Sequence, residues 1–331
     1  MVGSQDYRVQ FVLLPAGHPK RVRQLIHELE TPPSNGLNPE TYTVLAAPWF
    51  SPETVALCAE QGYGTLDLSG NYRLHFGSLF LERVGEAPPR AVRRQTASLF
   101  APKSARIVRA LLAVPGTDWK VTELADVTDV SLGLVSRVRR ELLERGWAEE
   151  RPDGIRLSAY KPLLNAWAEY RQEAKDPPWL GYTLLHGKKL NEVLQDLQRG
   201  SGGGENVVLA GPSAAQWMAP FLRDERQYFY ATPNGFQQLC EELDLESEPT
   251  GNIVVRVTEE PEVFLDRVQA APGVWTTSPA QTFLDLHLEG ERGQEAAKHL
   301  LQHYLQPIFE GRAITPASPI STRLAFRWGQ R

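Results

Sequence analysis

Residues 121–147, VTELADVTDVSLGLVSRVRRELLERGW, restrict the possible folds of this chain more than any other segment. Apolar residues recur at helical spacing in its second half, at Val135, Val138 and Leu142. This spacing predicts a helix with one buried stripe. Ser131 stands at the expected N-cap and Gly146 at the expected end, so the segment is predicted to hold two helices joined by the turn TDV.

The sequence on either side extends this pattern. Residues 104–114, SARIVRALLAV, predict an earlier helix, and Thr122 is the expected N-cap of the next one. Downstream, WAEERPDGIRLS predicts a hairpin that turns at the PDG of residues 152–154. Three helices followed by a hairpin predict a winged helix-turn-helix between residues 103 and 160.

Positive charge is concentrated in this region, although the chain as a whole is acidic with a formal net charge of −5. Residues 90–161 contain 14 Lys and Arg against 9 Asp and Glu, a net of +5, so the remainder carries −10. A basic segment within an acidic chain indicates a local site for a polyanion.

The candidate DNA-binding residues are Ser131, Gly133, Ser136, Arg137, Arg139, Arg140, Arg151 and Arg156. The serines and the glycine are small or hydrogen-bonding residues at the start of the exposed helix face, which suits entry into a major groove. Arg137 and Arg140 are expected to contact base edges, and the three other arginines to contact phosphates. The alternative interpretation is a solvated, charged helix face that binds nothing.

The pattern of residues 121–147 resembles that of the winged-helix regulators of bacteria. It matches them in the helix lengths, in the turn, in the run S-x-x-x-V-S-R and in the closing L-x-x-x-G-W before the hairpin. This resemblance implies binding to double-stranded DNA and control of transcription.

Residues 7–84 predict alternating strands and helices, with Ser51 capping one helix and a loop at residues 31–40. The stretch LAAPWFSPETVALCAEQGYGTLDLSGNYRL is similar to the second half of restriction-endonuclease-like domains. Residues 85–102 are rich in Pro and Arg and predict a connector.

Active nucleases of that fold need an upstream acid and a Glu-x-Lys pair, because carboxylates hold Mg²⁺ and the lysine stabilises the attacked phosphate. In this sequence the pair falls on Gln10 and Val12, and the upstream strand would precede the first residue. Asp67 and Glu82 are expected to serve a turn and an edge strand. The domain is therefore predicted to be degenerate.

Residues 205–331 predict a mixed α/β domain, and LAGPSAAQWMAP resembles the glycine–serine turn of nucleotidyltransferase-like domains. The metal-binding carboxylates of those domains would fall on Tyr228 and Tyr230, which cannot hold Mg²⁺. The stretch VWTTSPAQTFLDLHLEGERGQEAAKHLL is similar to the C-terminal domain of the AbiEi family, the antitoxins and autorepressors of type IV toxin–antitoxin systems. Residues 100–310 therefore resemble an AbiEi-type regulator, and the nuclease-like domain before them is an addition.

Glu295, His299 and His303 share a predicted helix face, but no fourth ligand is evident, so a solvated helix is expected and no metal site. Trp217 and Tyr228 are expected in the core. Two distant cysteines exclude a disulfide framework, and no apolar run approaches the roughly 20 residues of a membrane span. With no signal-peptide pattern, the cytoplasm is the expected location.

These patterns together predict a multidomain α/β protein without catalytic residues or cofactors. The expected divisions are a truncated restriction-endonuclease-like domain at 1–86, a linker at 87–102, the winged helix-turn-helix at 103–160, a helical connector and flexible joint at 161–204, and a degenerate nucleotidyltransferase-like domain at 205–331. The predicted function is a non-enzymatic, sequence-specific transcriptional regulator, with an antitoxin or autorepressor as one form of it.

The expected partner is double-stranded DNA, and the further candidates are a cognate toxin and a second copy of the chain. No membrane partner is expected. The alternative function is a DNA-processing enzyme, either a metal-dependent nuclease or a nucleotidyltransferase, that the winged helix would target. Metal-dependent cleavage or nucleotide incorporation would distinguish the two functions.

Overall fold

The computed structural model describes residues 8–30, 41–173, 177–200, 204–259 and 262–313, with Pro316, Ser318 and Thr322. The fold is mixed α/β with about 49% helix and 22% strand, which confirms the predicted α/β class. By its contacts the chain divides into two compact units, residues 1–98 with 139–149 and residues 99–138 with 150–331. None of the helices in the described ranges has the length and apolar character that crossing a membrane requires.

The first unit is built on a five-stranded sheet. Its elements are β1 (Arg8–Leu13), α1 (Pro19–Glu30), β2 (Thr41–Ala47), α2 (Pro52–Glu60), β3 (Gly64–Asp67), β4 (Tyr72–Phe76) and β5 (Leu79–Arg83). The strand order is β1-β2-β3-β4-β5, in which the first three strands are parallel and the last two antiparallel. Both helices pack against one face of the sheet. The core between them consists of Leu14, Val22, Ile26, Leu45, Ala47, Phe50 and Cys58.

Ser51 caps α2 as predicted, because its Oγ accepts a hydrogen bond from the backbone N–H of Thr54 at 3.3 Å. The predicted loop at residues 31–40 lies outside the described residues. The segment predicted as a linker, residues 87–102, contains a helix, α3 (Arg90–Phe100). The two final residues of α3 are buried, and this burial supplies the stabilisation that its polar sequence lacks.

The helical module, residues 102–157, has the predicted three helices and hairpin. Its elements are α4 (Pro102–Ala113), α5 (Val121–Thr128), α6 (Leu132–Glu144), β6 (Ala148–Arg151) and β7 (Gly154–Leu157). The predicted N-cap Thr122 is wrong, because α5 begins at Val121 after Lys120. The backbone N–H of Lys120 donates to Oε2 of Glu123 at 3.2 Å, so the glutamate closes the first turn and places the start of the helix before Thr122.

The elements that follow the helical module in the second unit form a seven-stranded mixed sheet with flanking helices. They are α7 (Tyr160–Glu173), β8 (Trp179–Tyr182), α8 (Gly187–Gly200), β9 (Val207–Leu209), α9 (Gly211–Met218), β10 (Gln227–Ala231), α10 (Pro233–Leu243), β11 (Glu246–Ser247), β12 (Ile253–Val257), α11 (Glu262–Leu265), β13 (Val268–Ala271), β14 (Val274–Thr276), α12 (Pro279–Leu286), α13 (Gly290–Leu300), a π-helical segment (Leu301–Leu305) and α14 (Gln306–Phe309). The strand order is β11-β8-β12-β10-β9-β14-β13.

The helical connector predicted within residues 161–204 is interrupted by the strand β8. Gly181 of this strand pairs antiparallel with Ile253 of β12, which places β8 inside the sheet. The two prolines at 177 and 178 interrupt the helical pattern, and the apolar WLGY follows them, which is the sequence signal for this strand. Of the flexible joint predicted at the end of this same range, residues 201–203 lie outside the described part of the chain.

Alternate residues of β10 face opposite sides of the seven-stranded sheet, and both sides are covered. Phe229 and Ala231 belong to the core that α8 and α10 cover, whereas Tyr228 and Tyr230 belong to the core on the other side. Tyr228 is therefore buried, as predicted. The prediction that Trp217 lies in the core is wrong, because its side chain near the end of α9 is 46% exposed.

Candidate nucleic-acid interface

Helix α6 has one buried face and one exposed face, as its sequence predicts. Its buried stripe consists of Val135, Val138 and Leu142, each at most 1% exposed. Ser131 caps the helix, because its Oγ accepts a hydrogen bond from the backbone N–H of Leu134 at 3.3 Å. Burial of the stripe sets the rotation of the helix about its axis, and therefore decides which residues reach solvent.

The exposed face carries five of the predicted site residues. They are Ser131, Gly133, Ser136, Arg137 and Arg140. A Cβ atom at Gly133 would meet nothing within 4 Å, so the backbone is open to a close approach there. Neither Arg137 nor Arg140 forms an ion pair with any described residue. Two guanidinium groups about one helical turn apart can therefore serve a ligand.

Positive potential on this face has two sources. The N-terminus of α6 is the positive end of the helix dipole, and Arg137 and Arg140 add two formal charges. A helix with its side chains is about 10–12 Å across, close to the roughly 12 Å width of the major groove of B-DNA. An exposed helix with small residues first and arginines next can therefore enter that groove and reach the acceptors of guanine.

Two other predicted arginines have different surroundings. The side chain of Arg139 is partly buried and already interacts within the chain. Arg151 ends β6 and is exposed beside the hairpin turn, although it too has an interaction with a neighbouring group. Arg151 is exposed at the tip of the hairpin and is therefore better placed than Arg139 for a phosphate contact.

The hairpin is tied to the segment that precedes α5. Trp119 and Ile155 exchange two backbone hydrogen bonds, of 2.8 and 2.9 Å. Gly154 has a φ of +146°, and a Cβ atom there would lie 2.1 Å from the carbonyl oxygen of Trp119. Only glycine allows this close approach, which holds the base of the hairpin in place.

Arg156 of the hairpin is held by an acidic residue that the sequence analysis missed. Its Nε donates to Oδ1 of Asp118 at 2.7 Å, and its Nη2 donates to Oδ2 at 3.0 Å. Such a bidentate pair fixes the guanidinium in one orientation. The Arg156 side chain is therefore less available to phosphate than its position on the hairpin predicts. The two residues lie 38 positions apart, so no local pattern links them.

Two arginines of α4 are also occupied, by carboxylates outside the basic segment. Arg109 is 3% exposed, and its Nη1 lies 3.0 Å from Oδ1 of Asp266. Arg106 pairs with Glu262 through Nε and Oε1 at 2.8 Å. These two external carboxylates reduce the net charge of residues 90–161 from +5 to +3. The basic excess available to a ligand is therefore smaller than the sequence indicates.

Leu132 is a candidate contact that the sequence analysis missed. It is the first residue of α6, and its side chain is exposed beside Ser131. In a major groove an apolar side chain at this end of a helix can contact the methyl group of thymine. Its helical spacing matches that of the buried stripe, and only its place at the end of the helix leaves it uncovered.

The hydroxyl groups of the two tyrosines of β10, Tyr228 and Tyr230, have protein partners. The hydroxyl of Tyr228 donates to Oδ2 of Asp224 at 2.8 Å, and that of Tyr230 donates to Oδ1 of Asp285 at 2.9 Å. Arg226 also pairs with Asp224, at 3.2 Å. Burial raises the pKa of Asp285, and burial beside this carboxyl raises the pKa of Tyr230 to about 12. These contacts tie both hydroxyl groups of β10 to aspartates, and Oδ2 of Asp285 is buried without a hydrogen-bond partner among the described residues.

The face that Glu295, His299 and His303 were expected to share runs from α13 into the π-helical segment. The rings of His299 and His303 lie 4.3 Å apart, and that of His299 stacks on Phe221 at 4.9 Å. Within the described ranges, no group of three or more His, Cys, Asp or Glu residues is placed to share a metal ion.

The two acidic residues singled out in the N-terminal domain have the predicted structural roles. Oδ1 of Asp67 accepts hydrogen bonds from the backbone N–H groups of Ser69 and Asn71 at 2.9 and 3.0 Å, which holds the turn after β3. Glu82 lies on the edge strand β5 and pairs with Arg73 of β4 at 3.5 Å.

Comparison with models of known protein families, with curated proteins and with solved structures found no match to the chain. The geometry of the helical module is therefore the basis for inferring a function.

Proposed function

We propose that the chain is a non-enzymatic transcriptional regulator that binds double-stranded DNA sequence-specifically through a winged helix-turn-helix at residues 103–160. The observation that carries this proposal is the exposed face of α6. There Arg137 and Arg140 follow small residues and have no ion pair among the described residues. Helix α6 is then the recognition helix, and the hairpin of β6 and β7 is the wing.

In this proposal the N-terminal half of α6 lies in the major groove. Arg137 and Arg140 donate to O6 and N7 of guanine, and Ser136 is placed to hydrogen-bond a neighbouring base or phosphate. The wing approaches the sugar–phosphate backbone, where Arg151 adds an electrostatic contact that does not depend on sequence.

The non-enzymatic part of the proposal is supported by the residues at the positions where catalytic carboxylates would stand. Strand β1 carries Gln10 and Val12 where a nuclease needs Glu and Lys, and β10 carries Tyr228 and Tyr230 where a nucleotidyltransferase needs carboxylates. An autorepressor or antitoxin role is the form of regulation that the resemblance to AbiEi-type proteins implies, with a cognate toxin as its protein partner. A regulator of transcription in a bacterium acts in the cytoplasm, where the chromosome lies.

The proposal is tested by selecting binding sequences from random duplexes with the purified full-length chain in buffer that contains EDTA. We expect one motif to be enriched, because each bidentate arginine contact discriminates against a wrong base by about 1–3 kcal/mol. Titration of the enriched duplex and of a scrambled duplex then measures the specificity ratio, expected to be about 10³ or more.

Two results would contradict parts of this proposal. Equal affinities for the enriched and scrambled duplexes would reject sequence-specific recognition. Cleavage of the duplex in Mg²⁺ by an activity that co-purifies with the chain would reject the non-enzymatic role and favour a DNA-processing enzyme.

A further inference from the structure

The five-stranded sheet has a second face that no described helix covers. Strands β1, β2 and β3 are parallel and adjacent in chain order, and α1 and α2 form the two crossovers between them. Crossovers between parallel strands are almost always right-handed. Because β1, β2 and β3 follow one another in the same direction across the sheet, both crossover helices lie on the same face. Parallel strands are normally covered on both faces. The topology therefore leaves one face of this sheet without its usual cover.

The pairing register shows which side chains line this open face. Its residues are Val9, Phe11 and Leu13 of β1, Tyr42, Val44 and Ala46 of β2, Gly64 and Leu66 of β3, Tyr72, Leu74 and Phe76 of β4, and Leu79, Leu81 and Arg83 of β5. Apart from one arginine at an edge, the face is uncharged and almost entirely apolar. A soluble monomer rarely presents such a continuous apolar surface.

The exposure of this face is greatest along its two outer strands. Leu13 and Phe11 of β1 are 82% and 56% exposed, and Leu81 of β5 is 42% exposed. Between them the ring of Tyr42 lies against that of Phe76 at 4.9 Å, which closes the middle of the face. The result is a sheet face with two exposed apolar borders and aromatic rings packed over its middle.

We propose that this open face is a homodimer interface, on which a second copy of the chain packs sheet against sheet. The charge distribution favours this occupant. A net charge of −5 on each copy opposes association, and this repulsion is smallest where the contacting surfaces carry no charge of their own. Among the described residues of the open face only Arg83 is charged, and it pairs with Glu86 at 2.7 Å. The face can therefore meet its own copy without opposing like charges.

The size of the face is that of a small specific interface. Five strands about 4.8 Å apart, with side chains about 6.6 Å apart along each strand in three rows, cover roughly 480 Å². Two such faces together cover roughly 960 Å², just below the roughly 1,000 Å² of a stable specific contact, so the expected contact is a weak and transient one. Two sheets pack about 10 Å apart with their side chains interdigitated, which covers both exposed borders at once. A dimer of this size should dissociate on dilution.

The experiment is sedimentation velocity of the full chain over a dilution series, with two charged variants. Leu13→Glu places a carboxylate on the open face, and Leu184→Glu is the matched control, because Leu184 is 81% exposed but lies far along the chain, between β8 and α8. We expect the wild type and Leu184→Glu to share one concentration-dependent dimer. Leu13→Glu should raise the dissociation constant at least about tenfold, because dimerisation would bury its charge against apolar side chains.

Leu81→Glu tests the opposite border of the same face, and circular dichroism with thermal melting checks that each variant is folded. The same increase of the dissociation constant in Leu81→Glu supports the proposal. A wild-type chain that remains monomeric throughout the series overturns it, as does a dimer that Leu13→Glu and Leu81→Glu leave unchanged. Equal weakening by Leu184→Glu overturns it as well. The proposal does not depend on DNA binding, so the two can fail separately.

Discussion

Arg109 and Arg137 belong to the same helical module, yet their guanidinium groups have opposite surroundings. Arg109 is buried, pairs with Asp266 at 3.0 Å, and also donates to Oε1 of Gln281. Arg137 is exposed and has no ion pair within the described residues. The comparison shows that the charge of a segment is not the charge that a ligand meets. Carboxylates distant in sequence decide which arginines remain available.

The largest effect is expected for the buried arginine, Arg109, and it is an effect on stability. Arg109→Met leaves the carboxylate of Asp266 buried without its charged partner, which should reduce the free energy of unfolding by about 3–5 kcal/mol. The measurement is urea denaturation of the full chain. Arg137→Met is the matched control and should change stability by less than about 0.5 kcal/mol, because its side chain is exposed.

A double variant separates the ion pair from the other contacts of Arg109. Arg109→Met with Asp266→Leu removes both charges and should recover part of the lost stability, since the penalty arises mainly from an uncompensated buried charge. If Arg109→Met costs no more than Arg137→Met, the two arginines do not differ as the structure indicates.

The second largest effect is expected for the exposed arginines of α6, and it is an effect on DNA binding. Arg137→Ala and Arg140→Ala should each weaken binding to the selected duplex by about 1–3 kcal/mol, with a much smaller change on a scrambled duplex. The specificity ratio therefore falls. The measurement is fluorescence anisotropy at several salt concentrations, because affinity for DNA has meaning only at a stated ionic strength.

Arg292→Ala is the matched control for these variants, since Arg292 is an exposed helical arginine on α13. It should leave both affinities unchanged. Equal losses on the two duplexes in Arg137→Ala and Arg140→Ala would mean that these arginines contact phosphates, and the assignment of base readout to α6 would be wrong.

The smallest effect is expected at Arg156, which stands between the two groups because it is partly exposed and also paired. Asp118→Asn removes the charge of its carboxylate partner and should loosen the hold on the guanidinium, which makes it more accessible to phosphate. Binding to any duplex should then tighten slightly, and the slope of log affinity against log salt should steepen by up to about one unit. Arg156→Ala should flatten the slope by less than one unit, because much of its charge is already neutralised.

Asp153→Asn in the hairpin turn controls for removal of one negative charge near the DNA. Asp153 is exposed, so this change alters the local charge by the same amount without breaking the ion pair between Arg156 and Asp118. If Asp118→Asn and Asp153→Asn steepen the salt slope equally, release of Arg156 is not the cause.

Much of the fold follows from short-range patterns. The spacing of Val135, Val138 and Leu142 correctly identifies the buried stripe of α6, and Ser51 and Ser131 correctly mark two helix starts. Such signals act within one or two turns of chain and are therefore visible in sequence. Thr122 fails as a predicted cap because Glu123 closes the turn from Lys120, two residues earlier.

The candidate site was predicted only in part. Sequence patterns report interactions between neighbouring residues, and they do not report contacts between residues that are distant along the chain. Helical periodicity is sufficient to place Arg137 and Arg140 on the exposed face of α6. It does not show that Arg156 is held by Asp118, or that Leu132 is exposed at the end of a stripe that is otherwise buried. Both depend on how the chain packs beyond the helix itself.

The sequence by itself determined the mixed α/β class, the order of helices and hairpin in the helical module, and the orientation of α6. Caps, turns and apolar periodicity are local and set these features. Only the tertiary structure decided that β8 joins a sheet, that one face of the five-stranded sheet stays open, and that Arg109 is neutralised. The partner of Arg109 lies 157 residues away, so its charge is compensated by a contact that exists only after long-range packing has formed.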